Sequence, residues 1–144
     1  MAKASRSITI DRSPMSCYEV IADFARYPDF LDEVKEIKIL SSSGDRMSVQ
    51  FGINIIKRIE YVLDMTLIPG KSVKWTLNKK GFFKKNDGGW DLVPKDGGKK
   101  TEAAYSVDVD MGFVPGSIVA MLSEKQFPKM LQAFKERIER LKKE

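Results

Sequence analysis

The stretch that decides the fold is Arg46–Met111, RMSVQFGINIIKRIEYVLDMTLIPGKSVKWTLNKKGFFKKNDGGWDLVPKDGGKKTEAAYSVDVDM. Five consecutive segments within it alternate apolar and polar residues, and successive side chains of a strand point to opposite faces. One parity collects Met47, Val49, Phe51 and Ile53, then Ile59, Tyr61, Leu63, Met65 and Leu67, then Val73, Trp75 and Leu77, then Trp90 and Leu92, and finally Tyr105, Val107, Val109 and Met111. The other parity carries Ser48, Gln50, Glu60, Asp64, Thr66, Lys74, Thr76, Asn78, Asp91, Ser106, Asp108 and Asp110. The pattern predicts a wide antiparallel sheet with one face in water and one face against something apolar.

The cover for that dry face is legible near the C-terminus. Ile118, Met121, Leu122, Phe127, Leu131, Phe134, Ile138 and Leu141 recur at three- and four-residue spacing, which predicts a long amphipathic helix. Gly116 and Ser117 start it after Pro115, and Lys135, Glu136, Arg137, Glu139 and Arg140 fill its outer side. Pro128 deletes one main-chain hydrogen bond and clashes with the preceding turn, so a bend is expected there, with the apolar stripe in phase on both sides. Upstream, Ser5–Asp11 reads as a first strand, with Ile8 and Ile10 inward. Ser13 then caps a helix with Pro14 in its first position and Cys17, Val20, Ile21 and Phe24 as its buried stripe. Pro28–Val34 reads as a second short helix carrying Phe30 and Leu31, and Glu36–Leu40 as a second strand ended by Ser41–Asp45. Pro69-Gly70 suits a type II turn, and Asp96-Gly97-Gly98 a tight hairpin.

This order predicts an α+β fold, residues 1–144 forming one domain with helices on one face of an antiparallel sheet. A chain of 144 residues buries roughly two thirds of its unfolded surface without staples. The single cysteine, Cys17, allows no internal disulfide, and the absence of histidine removes the commonest metal ligand and proton shuttle. No stretch approaches the ~20 apolar residues of a membrane span, and Met1–Ile10 lacks a signal-like apolar run, so a cytoplasmic protein is expected. The net charge of +5, from 25 basic and 20 acidic residues, mildly favours anionic partners.

Three local motifs resemble the START-like superfamily with its helix-grip fold, and within it the polyketide cyclase and coenzyme Q-binding branch. Pro14, Val20, Ile21, Asp23, Phe24, Tyr27, Pro28, Phe30 and Leu31 look like the branch's early helix and its D-x-x-x-Y-P-x-F segment. Gly81, Phe82, Phe83, Lys84 and Lys85, followed by Gly89, Trp90, Asp91, Leu92, Val93 and Pro94, look like its G-P-F and W-x-F-x-P strand pair, with Phe82 in place of proline and Leu92 in place of phenylalanine. Met130, Ala133, Phe134 and Arg137 resemble its closing M-x-x-A-F-x-x-R. The resemblance implies a curved antiparallel sheet wrapped around a long C-terminal helix, two short helices after the first strand, and a cavity between sheet and helix.

The lining implied for that cavity is Tyr61, Met65, Trp75, Trp90, Tyr105, Val107, Met111, Phe113, Met121, Leu122, Phe127, Leu131 and Phe134. It holds almost no charge, so the expected ligand is a lipid, a polyprenyl quinone or a polyketide-like molecule, with the tyrosines as polar handles. No catalytic residue, metal or cofactor is expected beyond a bound quinone or lipid. Asp108 and Asp110 share the wet parity, and no histidine is present to activate Cys17. Lys79, Lys80, Phe82, Lys84 and Lys85 interleave aromatics with cations and suit an anionic membrane surface or RNA. Ile53–Arg58 makes a second apolar and basic tip, and Gly112–Gly116 reads as a hinge before the long helix. Three functions follow as alternatives: a carrier or binder of a hydrophobic small molecule, peripheral to a membrane or not; a ribosome-associated regulator like the branch's toxin; and a polyketide aromatase/cyclase. DNA is not an expected partner.

Overall fold

A computed structural model describes residues 2–54, 57–79, 81–112 and 116–140 of the chain. Its strands are β1 (Ala2–Ile10), β2 (Val34–Ser43), β3 (Arg46–Asn54), β4 (Arg58–Ile68), β5 (Ser72–Leu77), β6 (Lys85–Lys95) and β7 (Lys100–Asp110). Among the described residues they form one seven-stranded antiparallel sheet in the order β1-β7-β6-β5-β4-β3-β2. The registers join residues of like parity: Phe51 faces Tyr61, Val49 faces Leu63, Met65 faces Trp75, and Trp90 faces Tyr105. Every described residue of the predicted dry parity is buried or half-buried. The α+β helix-grip architecture is therefore the one the alternation and the resemblance imply.

β1 and β2 lie at opposite edges of the sheet, so the chain between them must cross its dry face. It does so through α1 (Pro14–Ile21) and a short 3-10 turn, Phe24–Asp29. Ser13 caps α1 as expected, its hydroxyl accepting from the Ser16 N–H at 3.3 Å, and Cys17 and Ile21 are wholly buried. The second helix does not occupy Pro28–Val34. Pairing of Val34 with Ile53 keeps the chain extended from Val34 onward. The turn forms earlier because Phe24 and Tyr27 enter the core, and the Tyr27 hydroxyl donates to the Ile21 carbonyl. β2 also runs on through Ser41–Ser43, with a register shift between Ile39 and Ser41 that leaves Leu40 exposed.

The C-terminal helical stretch comprises α2 (Gly116–Met121), a π-helical turn (Leu122–Gln126) and α3 (Phe127–Glu139). The irregularity expected at Pro128 falls on the turn before it. Proline offers no N–H to the carbonyl four residues back and crowds it, and a widened turn accommodates both effects. α3 buries Leu131, Phe134 and Ile138 against the sheet. Its last turn is fastened to the β1–α1 junction: the Glu139 carboxylate accepts from the Asp11 N–H at 2.8 Å and pairs with Lys135 at 3.2 Å, while Arg12 donates to the Glu139 carbonyl. Among the described residues no helix is long and apolar enough to cross a membrane. Leu141, Phe113, Val114 and Pro115 lie outside the described residues, as do the side chains of Ile118 and Leu122.

Candidate functional site: an apolar cavity beneath the C-terminal helix

Between the dry face of the sheet and α3 lies a cavity of about 160 Å³. A single buried water needs only ~10–15 Å³, so this is more than a packing defect. Of the residues singled out from the sequence, Tyr61, Met65, Trp75, Trp90, Tyr105, Val107, Met111, Phe127 and Phe134 lie on its wall. Leu131 is buried and Met121 half-buried, but neither reaches the cavity. The apolar stripe of the helix is wider than the void: Phe127, Met130 and Phe134 face the cavity, while Leu131 sits a step around the helix from Met130. Phe113 and the Leu122 side chain fall outside the described residues.

Much of the wall comes from residues the sequence reading did not assign to it. Phe51, Ile53, Ile59, Leu63 and Val109 had the right parity, and only the curvature of the sheet tells which inward rows border a void. Phe24, Tyr27, Leu31 and Glu33 arrive from the crossover, whose position depends on long-range packing. Asn86 and Gly88 are inward on β6 but give no hydropathy signal. Gly88 shapes the wall through what it lacks: an added Cβ would lie 2.4 Å from the Ser106 carbonyl oxygen and 3.0 Å from Cζ2 of Trp75. The Trp75 indole occupies that place, and its Nε1–H donates to Asn86 Oδ1 at 3.2 Å.

Aromatic rings tie the cavity roof to its floor. Phe134 of α3 meets Tyr27, Phe30 and Trp90 edge-on at 5.3, 5.1 and 5.1 Å between centroids. Trp90 meets Tyr105 at 5.0 Å, and Phe51 stacks on Tyr61 at 5.4 Å. Such edge-to-face pairs are worth ~0.5–1.5 kcal/mol beyond their buried area.

The polar groups on the wall are few. The Tyr61 and Tyr105 hydroxyls find no hydrogen-bond partner among the described residues. Burial pushes the pKa of both well above the ordinary phenol value, and for Tyr61 the neighbouring Tyr105 and then Glu33 add to it. Both are therefore neutral hydrogen-bond donors across the physiological range. Glu33 is a half-buried carboxylate on the wall, and Asn86 and Gln126 contribute amides. The wall can solvate a hydrocarbon body and donate hydrogen bonds to a carbonyl or hydroxyl at its polar end.

The other singled-out groups are dispersed. Phe83 turns inward, 4.9 Å from Tyr61, and Phe82 packs edge-on against it at 5.3 Å. Lys79 and Lys84 are exposed, and Lys80 lies outside the described residues. Lys85 pairs with Asp108 at 2.9 Å on the wet face, and this hydrogen bond raises its pKa. Asp110 accepts from the Gly112 N–H at 2.9 Å, so the two aspartates are engaged separately and form no acid–base pair. Gly112, two residues beyond the end of β7, has a φ of +73°, which favours glycine there.

Comparison with known proteins agrees with this architecture. The family described as polyketide cyclase/dehydrase and lipid transport matches residues 10–135. The ribosome association toxin RatA of Vibrio cholerae serotype O1 is 30% identical over 116 residues, covering 78% of this chain and 75% of the toxin. A START superfamily protein from Mycobacterium smegmatis superposes with a TM-score of 0.85 at 20% identity, covering 99% of this chain and 100% of that one. The Zhui aromatase/cyclase from Streptomyces sp. R1128 superposes with a TM-score of 0.85 at 14% identity, covering 96% of this chain and 93% of that one.

Proposed function

We propose that the protein binds a hydrophobic small molecule in the cavity beneath α3, on the premise that the chain belongs to the polyketide cyclase/dehydrase and lipid transport family. The observation that carries the reading is a wall of aromatic and aliphatic side chains on which the Tyr61 and Tyr105 hydroxyls have no hydrogen-bond partner among the described residues. A phenol that opens onto an apolar cavity gains from an acceptor there, and a ligand carbonyl would supply one. A polyprenyl quinone or a lipid ester combines that acceptor with a hydrocarbon body. Burial contributes about 0.8 kcal/mol per methylene, so the five carbons of one isoprenoid unit seated in the cavity contribute about 4 kcal/mol against the several kcal/mol lost on association, with the rest of the ligand toward the cavity mouth. The reading is a binder rather than a catalyst: the raised phenols are poor proton donors near neutrality.

Native mass spectrometry of the protein purified gently from its own host, followed by organic extraction, tests this. A stoichiometric apolar adduct is the expected result. An adduct-free mass, together with no binding of added short-chain ubiquinone or fatty acid, would overturn the reading.

A second reading, ribosome association, is favoured by the likeness to RatA. Its candidate contacts, Lys79, Lys80, Lys84, Lys85, Lys99 and Lys100, do not share one surface among the described residues. Lys85 and Lys100 begin β6 and β7 at opposite ends of paired 11-residue strands, about 35 Å apart at the usual rise per residue. Co-sedimentation with ribosomal subunits that weakens steeply with salt is its signature, and free protein at low salt would dismiss it.

A further inference from the structure

The two ends of the sheet differ. The 54–58 connection between β3 and β4, the 78–84 connection between β5 and β6, and the exit of β7 gather at one end. Neither connection contains an acidic residue: 54–58 reads Asn-Ile-Ile-Lys-Arg, and 78–84 reads Asn-Lys-Lys-Gly-Phe-Phe-Lys. The fold joins them, placing Lys57 Nζ 5.4 Å from the centre of the Phe82 ring. Phe82 in turn packs on Phe83, which lies on the cavity wall. Glu33, Met111, Gln126 and Met130, wall residues that stay only half-buried, belong to the same end, so the cavity meets solvent there.

The cations at this end fall into two groups. Lys85 is held by Asp108, and Arg58 by Glu36 and Glu60, on the wet face of the sheet. Lys57, Lys79 and Lys84 are exposed and make no ion pair among the described residues. Of the nearby carboxylates, Asp32 lies 4.0 Å from Lys129, Asp110 accepts from the Gly112 N–H, Asp87 accepts from the Leu77 N–H, and Glu33 is half-buried on the cavity wall. The result is a rim of uncommitted lysines with an aromatic among them, beside the opening of an apolar cavity.

We propose that this end of the molecule docks on an anionic lipid bilayer, with Lys57, Lys79 and Lys84 on the headgroups and the cavity mouth toward the acyl region. Lysines near an anionic surface attract it, and an aromatic among them settles at the interface. RNA fits less well, because Lys57 lies over the half-buried Phe82 ring and a base stacking on that face would have to displace it. An apolar cargo is also concentrated in the bilayer, so docking mouth-first shortens its path through water. That orientation rests on the cavity reading; the docking itself does not.

Flotation with empty vesicles of mixed phosphatidylglycerol and phosphatidylcholine tests the proposal, and added short-chain ubiquinone tests the cavity separately. Each lysine is worth about fivefold in partitioning at low salt, so the triple variant Lys57→Ala, Lys79→Ala, Lys84→Ala loses on the order of a hundredfold. The triple Lys71→Ala, Lys99→Ala, Lys100→Ala removes the same charge from exposed sites at the opposite end and keeps wild-type partitioning. Both variants keep quinone uptake. Equal losses in the two triples would overturn the proposal, as would no binding of the wild type to anionic vesicles. Binding to extracted ribosomal RNA that the first triple alone loses, without vesicle binding, would overturn it in favour of RNA. A wild type that floats with vesicles but takes up no quinone would uphold the docking and refute the cavity reading.

Discussion

Gly88→Ala is the substitution that most sharply probes how the cavity wall is built. The added methyl would sit 2.4 Å from the Ser106 carbonyl oxygen, 3.0 Å from the Val107 Cα and 3.0 Å from Trp75 Cζ2, all well inside van der Waals contact. Two of these are backbone atoms of β7, so β6 and β7 must separate by about an ångström where their ladder is continuous on both sides. Overpacking of this kind costs ~1–3 kcal/mol, and a weakened ladder bond adds ~1 kcal/mol. The expected loss is about 2–4 kcal/mol, or roughly 5–15 °C in Tm for a domain of this size. The displaced Trp75 ring moves into the cavity, so affinity for an apolar ligand falls as well. Thermal unfolding followed by circular dichroism reads the first effect, and quinone quenching of tryptophan fluorescence reads the second. Gly97→Ala is the control: nothing lies within 4 Å of its added Cβ, and only its φ of +65° opposes the change, at ~1–2 kcal/mol. A Gly88→Ala protein no less stable than the Gly97→Ala protein would refute the close-approach account.

Phe134→Ala removes a ring that is 2% exposed and touches three others, and a buried Phe→Ala change costs about 3–5 kcal/mol; a urea midpoint close to wild type would show that α3 is held chiefly by its C-terminal clamp. The cavity phenols make stability fall at high pH. Tyr27 and Tyr105 keep their protons in the folded state beyond the ordinary value near 10, whereas the unfolded chain loses them there. Their contribution is intact below pH ~10 and declines above it by about 1.4 kcal/mol per pH unit for each, until the folded pKa is passed. Urea unfolding across this range should therefore slope less steeply for Tyr105→Phe than for wild type, and identical slopes would contradict the burial of that hydroxyl.

The sheet was legible in the sequence because its physics is local. One parity of side chains must be dry, and alternation over Arg46–Met111 states which. The Ser13 cap with Pro14 was legible for the same reason, since capping involves only the first turn. What escaped depends on contacts distant in sequence. The 3-10 turn at Phe24–Asp29 is placed by Tyr27 reaching Ile21 and by rings from β3 and α3, not by the helix signals around Pro28. Ser41–Ser43 reads as a turn, yet pairing with Arg46–Ser48 draws it into β2. In the site, the inward aromatics stood out, whereas Gly88, Asn86 and Glu33 shape the wall by absence, amide chemistry and charge, none of which a hydropathy pattern carries. The lysines illustrate the same limit: composition groups Lys84 with Lys85, but strand pleat turns Lys85 to Asp108 and leaves Lys84 exposed.

The central claim, that an apolar ligand occupies the space beneath α3, is tested most directly by filling that space. Val107 and Val109 are 6% and 8% exposed and both lie on the cavity wall, so Val107→Phe and Val109→Phe each place a ring where the ligand should sit. Isothermal titration with short-chain ubiquinone and with a fatty acid, on variants shown by circular dichroism to be folded, is the measurement. Saturable one-to-one binding by the wild type, and its loss in the filled proteins, is the expected result. Wild-type affinity in a folded, filled variant would contradict it.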